Sequence, residues 1–205
     1  MKQENFDWST YINKFSVHFP AFTSQLPWQV TSRATEIVAE ILSSLSSDYN
    51  IHNGVATHKS AIVESNVVLK EPIIVGPDCF IAANCYLRGG VFLLGHNSIG
   101  PGCEIKSSFI FPKSNLAHFN FIGDSIIGSG VNFEAGSIIA NHFNERSSKE
   151  ISVMMNGTSI STKTEKFGAL VGDGSKIGAN AVLSPGTILQ PNSIVRRLEL
   201  VDQQG

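Results

Sequence analysis

The chain has 205 residues, of which 42% are hydrophobic, and its formal net charge is −2 at pH 7. It has no run of lysine and arginine, which argues against nucleic acid or a membrane surface as partners and favours small molecules or proteins. Its first residues lack the basic start and apolar core of a signal peptide, and no apolar stretch approaches membrane-spanning length. We therefore expect a cytoplasmic protein with one domain, or one domain with an appendage.

The first 54 residues contain both tryptophans and several phenylalanines. Within this segment, apolar residues recur at the spacing of one helix face, which predicts an amphipathic helix. The residues of this face are Val30, Ala34, Ile37, Val38, Ile41, Leu42 and Leu45.

A six-residue repeat begins after this segment. Nine successive positions in one register are apolar, which at this composition would arise by chance roughly four times in ten thousand. The repeat returns in a shifted phase near 127–139 and again over 171–195. Its members are Val63, Leu69, Val75, Ile81, Leu87, Leu93, Ile99, Ile105 and Phe111, then Ile127, Phe133 and Ile139, then Val171, Ile177, Leu183, Leu189 and Val195.

Two other positions of the hexad follow their own rules. Asn, Asp or Gly usually stands three residues after the apolar position, where a corner requires positive φ. A small or medium residue usually stands four residues after it and fits inside a narrow prism. Each hexad is therefore a short strand and a corner, and three hexads close one coil of about eighteen residues.

These rules predict an all-β parallel β-helix of about six to seven coils. A β-helix leaves an open apolar end, so residues 1–54 are interpreted as a helical end cap or packing arm. Residues 55–205 are interpreted as the hexapeptide-repeat domain. Cys79, Cys85 and Cys103 all occupy the inward fourth position, which indicates core packing, with neither a disulfide nor a metal site.

The repeat is interrupted by a long insertion at 144–168. A loop of this length usually has a function or lacks order. Its centre has two β-like runs around Asn156-Gly157, which predicts a protruding hairpin.

Residues whose side chains could take part in catalysis or binding concentrate between Arg88 and Asn141. The stretch reads YLRGG, then CEIKSS, then AHFNFIGD, then VNFEAGSIIANHF. Here the sequence resembles the acetyltransferase domain of the bifunctional enzymes that make UDP-N-acetylglucosamine, over roughly residues 60–197. The resemblance implies a left-handed helix, a homotrimer with sites between subunits, and acetyl transfer from acetyl-CoA to glucosamine 1-phosphate, with no tightly bound cofactor.

The resemblance also implies roles for particular residues. His118 matches the general base, and Glu104 matches the carboxylate that orients it. The sugar-phosphate cations match Arg88 and Lys106, the acceptor-binding asparagines match Asn132 and Asn141, and Ala135 matches the alanine that lies along acetyl-CoA. Lys176, Arg196 and Arg197 are candidates for the phosphates of coenzyme A, although ordinary surface charge explains them equally well. Imidazole suits the role of base because it exchanges protons near neutral pH.

The sequence departs from this family at the acceptor side. Phe121 and His142 replace two tyrosines, and the 144–168 insertion, with Lys149, Lys163 and Lys166, replaces a short lysine-bearing loop. His96 and His142 fall at the positive-φ third position, where they are interpreted as turn residues. The acyl-transfer residues match the family, whereas the acceptor is left open.

Three functional classes follow from these residues. The first is an acyl-CoA-dependent acyltransferase that acts on an amino sugar, sugar phosphate or nucleotide sugar. The second is a non-catalytic β-helix that binds a sugar nucleotide or assembles with a partner. The third is a metal-dependent hydratase like the β-helical carbonic anhydrases, although Gly123 stands where a second local histidine ligand would be expected.

Overall fold

The computed structural model describes residues 6–203, which form a left-handed parallel β-helix with short helices along one side. The predicted fold class is therefore confirmed. Each coil contributes one strand to each of three faces, and the second face is a seven-stranded sheet. Its strands are β3 Ile62–Val63, β6 Phe80–Ile81, β8 Ser98–Ile99, β10 Asn115–Leu116, β13 Asn132–Phe133, β18 Lys176–Ile177 and β21 Ile194–Val195.

The first and third faces share two long strands that bend around a corner, β7 Tyr86–Leu93 and β9 Glu104–Ile110. The later half of each lies on the first face and the earlier half on the third. The first face also contains β2 Val55–His58, β5 Ile73–Val75, β12 Ile126–Ile127, β17 Ala169–Val171 and β20 Thr187–Leu189, with β1 Tyr49–His52 antiparallel to β2. The third face also contains β4 Val68–Lys70, β11 Phe121–Gly123, β14 Ile138–Ile139, β19 Val182–Leu183 and β22 Leu200–Val201.

The hexad residues form the core inside the coils, as the repeat predicts. The register prediction is wrong at Phe111, because Ile110 points into the coil and Phe111 packs outside it. The corner between Ile105 and Ile110 is one residue short, and so is the corner between Ile122 and Ile127. These two shortened corners explain the shifted phase.

A second core lies outside the first face. On each coil of the first face, one apolar side chain points outward, and these residues are in register from one coil to the next. They are Ala56, Ile74, Phe92, Phe109, Ile126, Leu170 and Ile188. The N-terminal segment packs along this row, so it lies against the side of the solenoid as a packing arm. It contains α1 Phe15–His18, α2 Pro27–Ser32 and α3 Ala34–Leu42, with 3₁₀ turns at Trp8–Thr10 and Pro20–Phe22.

Polar contacts also hold the arm on the solenoid. The Asp173 carboxylate accepts hydrogen bonds from the backbone N–H groups of Asn13 (3.0 Å) and Ser129 (2.7 Å). Thr35 Oγ1 donates to the carbonyl of Gly89 (3.1 Å), beside Arg88. The arm and the coils therefore form one packed body.

The 144–168 insertion contains the predicted hairpin, β15 Ser152–Met155 and β16 Thr158–Ser161, with Asn156 and Gly157 both at positive φ. Its tip is exposed, whereas Ile151 and Val153 are buried in the second core. Because the arm and the hairpin base both pack on the first face, the second and third faces are the ones left for ligands.

The cysteine prediction can be tested by thiol labelling. Cys79, Cys85 and Cys103 are free and only 1% exposed, so a reagent reaches them poorly, and burial also raises the pKa of Cys79 to about 11, which leaves little thiolate at that residue. We expect slow labelling by a disulfide reagent in buffer, followed by labelling of all three thiols in denaturant. Rapid stoichiometric labelling of Cys103 in the native protein would contradict its inward position.

Candidate active site

The corner between the second and third faces carries His118, between β10 and β11. Its side chain is exposed and makes no hydrogen bond or ion pair with any residue in 6–203. The His118 carbonyl accepts the N–H of Gly136 (2.9 Å), so Ala135 lies beside His118 on the next coil. The structure therefore places the candidate base next to the residue expected along acetyl-CoA.

Arg88 and Glu104 lie together on the third face, on neighbouring coils. The guanidinium contacts Glu104 Oε1 at 2.7 and 2.9 Å, and both side chains are about one-third exposed. Among the described residues no hydrogen bond joins Glu104 to His118. Glu104 is thus held by the cation that was expected to bind phosphate.

Lys106 is bound on the same face by Asp124. Its ammonium group lies 2.8 and 2.7 Å from the two Asp124 oxygens and 3.3 Å from Ser107 Oγ. These three contacts can use all three hydrogens of the ammonium group. The Lys106 and Asp124 side chains are only 16% and 7% exposed. Asn141 Nδ2 also donates to Asp124, so Lys106 and Asn141 share one carboxylate.

Sequence reasoning gave no role to Asp124, although it ends the AHFNFIGD run. The sequence did contain a signal, because the repeat changes phase across the shortened corner that holds Asp124, and the structure shows a φ of 47° there. Gly123 is part of the same arrangement. A Cβ there would lie 2.9 Å from Asn141 Nδ2 and from Phe121 Cε1, so the glycine lets both side chains pack over it.

Replacing Asp124 with alanine should destabilise the fold by about 3–5 kcal/mol, because it leaves the largely enclosed Lys106 ammonium group without its carboxylate partner. Urea unfolding measures this loss. The control is Glu134→Ala, which breaks a solvent-screened pair with Arg197 and should therefore destabilise the fold much less than Asp124→Ala. Equal losses in the two variants would show that burial does not distinguish the pairs.

The remaining candidates lie in a groove of about 510 Å³ on the second face near the C-terminus. Asn132, Lys176 and Arg196 line it together, and the backbones of Asn132 and Lys176 are in register. Glu134 lines it too, and the Arg197 guanidinium and the Ala179 N–H lower the pKa of Glu134 to about 2. Asn132 and Asn141 therefore lie on different faces and do not form one cluster.

Two further observations concern metals and membranes. Within residues 6–203, no three His, Cys, Asp or Glu side chains converge as metal ligands. None of the helices in that range has the length and apolar character needed to cross a membrane.

The stacked hexads and positive-φ corners define the class of this chain, which is the hexapeptide-repeat left-handed β-helix. Within that class the chain resembles the acetyltransferase domain of the bifunctional sugar-nucleotide enzymes, as the motif indicated. It is 33% identical over 184 residues to the bifunctional protein GlmU of Methanococcus vannielii, covering 86% of this chain and 43% of that protein. It is 32% identical over 160 residues to a bifunctional sugar-1-phosphate nucleotidylyltransferase/acetyltransferase of Sulfurisphaera tokodaii, covering 66% of this chain and 39% of that protein.

The chain thus spans less than half the length of these curated relatives. No protein-family model matches it. Among solved structures, a hexapeptide transferase family protein from Anaplasma phagocytophilum superposes with a TM-score of 0.47 at 17% identity, covering 72% of this chain and 74% of that one.

Proposed function

We propose that this protein is an acyl-CoA-dependent acyltransferase that acylates the amine of an amino sugar, sugar phosphate or nucleotide sugar. The observation that carries the proposal is the exposed His118 imidazole, which has no hydrogen-bond or charge partner among residues 6–203 and lies on the corner between the second and third faces. Ala135 lies beside it, and polar clusters lie on both sides. The names of the two relatives agree with this chemistry, since both proteins are bifunctional and one is called an acetyltransferase.

The proposed reaction assigns a step to each of these positions. The acceptor nitrogen attacks the thioester carbonyl carbon, and His118 takes the proton that the nitrogen loses. The carbon–sulfur bond then breaks, an amide forms, and coenzyme A leaves as its thiol after receiving a proton. In this proposal, Arg88, Lys106 and Asn141 form the acceptor side, and Glu104 holds Arg88. Ala135, Lys176 and Arg196 bind acetyl-CoA, and Asn132 lies on that side because it lines the same groove as Lys176 and Arg196.

A homotrimer is also part of the proposal. The resemblance implies it, and the packing supports it, because the described part of the arm, residues 6–54, packs on the first face and leaves the second and third faces for neighbouring subunits. Sites in such an assembly would lie at the corner that carries His118.

The test is thiol release from acetyl-CoA by the purified protein, with a panel of amino sugars, amino-sugar phosphates and nucleotide amino sugars as acceptors. Turnover that requires both co-substrates supports the proposal. Failure to bind acetyl-CoA in a thermal-shift assay would overturn it.

One observation favours a second function. Glu104 and Asp124 neutralise Arg88 and Lys106, the two cations expected to bind the sugar phosphate, and Phe121 and His142 replace the family's tyrosines. A non-catalytic subunit that binds a sugar nucleotide is therefore the alternative. It predicts sugar-nucleotide binding without thiol release in the same assays.

A further inference from the structure

Phe119, the residue after His118, combines exposure with a strained backbone. Its side chain is 72% exposed and its φ is +53°. Among residues 6–203, the other large apolar side chain at positive φ is Leu198, in the same column of corners. A bulky side chain makes unfavourable steric contacts in this left-handed region of backbone conformation, whereas Asn or Gly would not.

The strain persists because the surrounding contacts fix the corner. Asn120 is buried, and its Nδ2 donates to the Glu134 carbonyl (2.8 Å) and to Ser137 Oγ (2.8 Å). The Phe119 N–H donates to the Pro101 carbonyl (3.1 Å). Strained residues held in this way cluster at functional sites.

The phenyl ring lies over Gly102 on the preceding coil. A Cβ at Gly102 would lie 2.6 Å from Phe119 Cδ1, so the ring rests there only because that residue is glycine. Gly102 backbone covers one side of the ring, and the rest of the side chain is open to solvent.

The direction of the ring indicates which co-substrate it meets. The ring lies over Gly102, which is on the preceding coil together with Glu104, so it extends along the solenoid axis toward the coils that carry the Arg88–Glu104 pair. Ala135, Lys176 and Arg196 lie on later coils, in the opposite direction along the solenoid axis. Phe119 is therefore on the acceptor side of His118.

We propose that Phe119 is a specificity residue of the acyltransferase site, whose exposed phenyl face supports the sugar ring of the acceptor. This inference rests on the proposed function and deepens it, because it assigns acceptor recognition to an apolar ring contact beside the base. An aromatic side chain provides a large apolar surface at a low cost in side-chain freedom. In this proposal, the Arg88–Glu104 pair would contact the hydroxyl groups at the edge of the sugar ring.

The experiment compares Phe119→Asn with Leu198→Asn, which changes the same corner column three coils away. Both variants should raise Tm by about 2–4 °C, because Asn tolerates positive φ. In saturation-transfer NMR with glucosamine 1-phosphate as the probe, irradiation of aromatic protons should reach the pyranose protons in wild type and Leu198→Asn. The transfer should be lost in Phe119→Asn, and its acceptor KM should rise about 5- to 10-fold with an unchanged KM for acetyl-CoA.

The outcomes separate this inference from the proposed function. Undiminished saturation transfer in Phe119→Asn, or no binding of the probe by wild type, would overturn the inference and leave acyl transfer to be judged by thiol release. Phe119-dependent sugar binding without thiol release would support the inference and refute the acyltransferase. A lower Tm, or a smaller oligomer by light scattering, in Phe119→Asn alone would assign the ring to packing or to a subunit contact and overturn the inference.

Discussion

His118→Ala should lower kcat by about 10²–10⁴-fold, the usual contribution of a general base. The imidazole is exposed at the corner and has no partner within residues 6–203, so its removal should leave the coils intact. Acetyl-CoA binding should change little, because Ala135 and the groove at Lys176 and Arg196 lie on later coils. The measurement is thiol release with the best acceptor from the screen, together with a binding isotherm for acetyl-CoA.

The matched control is His96→Ala. His96 is another exposed corner histidine, at positive φ, and its nearest charged partner is Asp78 at 3.4 Å. We expect its turnover to stay close to that of wild type. Turnover of His118→Ala within threefold of wild type would remove His118 from the mechanism.

The fold could be predicted from the sequence because each coil repeats the same three constraints. Inward apolar residues such as Leu87 and Ile99 and corner residues such as Asn84 recur every six positions, so each strand supports the assignment of its neighbours. The error at Phe111 arose where the repeat loses a residue. Both Ile110 and Phe111 are apolar and buried, so composition alone could not decide which one faces inward.

The position of the arm was harder to predict. An uncovered helix end and an uncovered face both require apolar cover, and residues 1–54 could satisfy either need. A second periodicity in the sequence decides between the helix end and the face. Ile74, Phe92 and Phe109 are apolar at outward positions, about one coil apart, where a solvent-facing strand would have polar side chains.

The candidate site could be predicted as a set of residue types, whereas its pairings could not. The run from Arg88 to Asn141 identified the region, but the contacts that decide its chemistry join different coils. Arg88 meets Glu104 and Lys106 meets Asp124 only because coils of 17 or 18 residues bring them into register. The role of an exposed aromatic residue such as Phe119 could not be predicted either, because the sequence does not show which corner residues have a strained backbone.

Phe19→Ala should lower the free energy of unfolding by about 3–5 kcal/mol, because it removes a buried aromatic side chain that joins the arm to the solenoid. Phe19 is only 2% exposed, and its ring centroid lies 5.3 Å from Phe109 and 5.7 Å from Phe111 on the first face. For a chain of this size the loss corresponds to about 6–20 °C in Tm. Calorimetry and urea unfolding measure it directly.

The control for this prediction is Val17→Ala, two residues before Phe19 in the short helix α1, where Val17 is 71% exposed and its truncation should cost less than about 0.5 kcal/mol. Limited proteolysis adds a second readout, since cleavage within residues 6–45 should accelerate in Phe19→Ala before the coils are cut. If the arm were a loosely attached appendage, proteolysis would accelerate while the unfolding transition of the coils stayed at its wild-type midpoint. A shift of that transition would instead show that the second core stabilises the whole solenoid, because the coils and the arm then unfold as one cooperative unit.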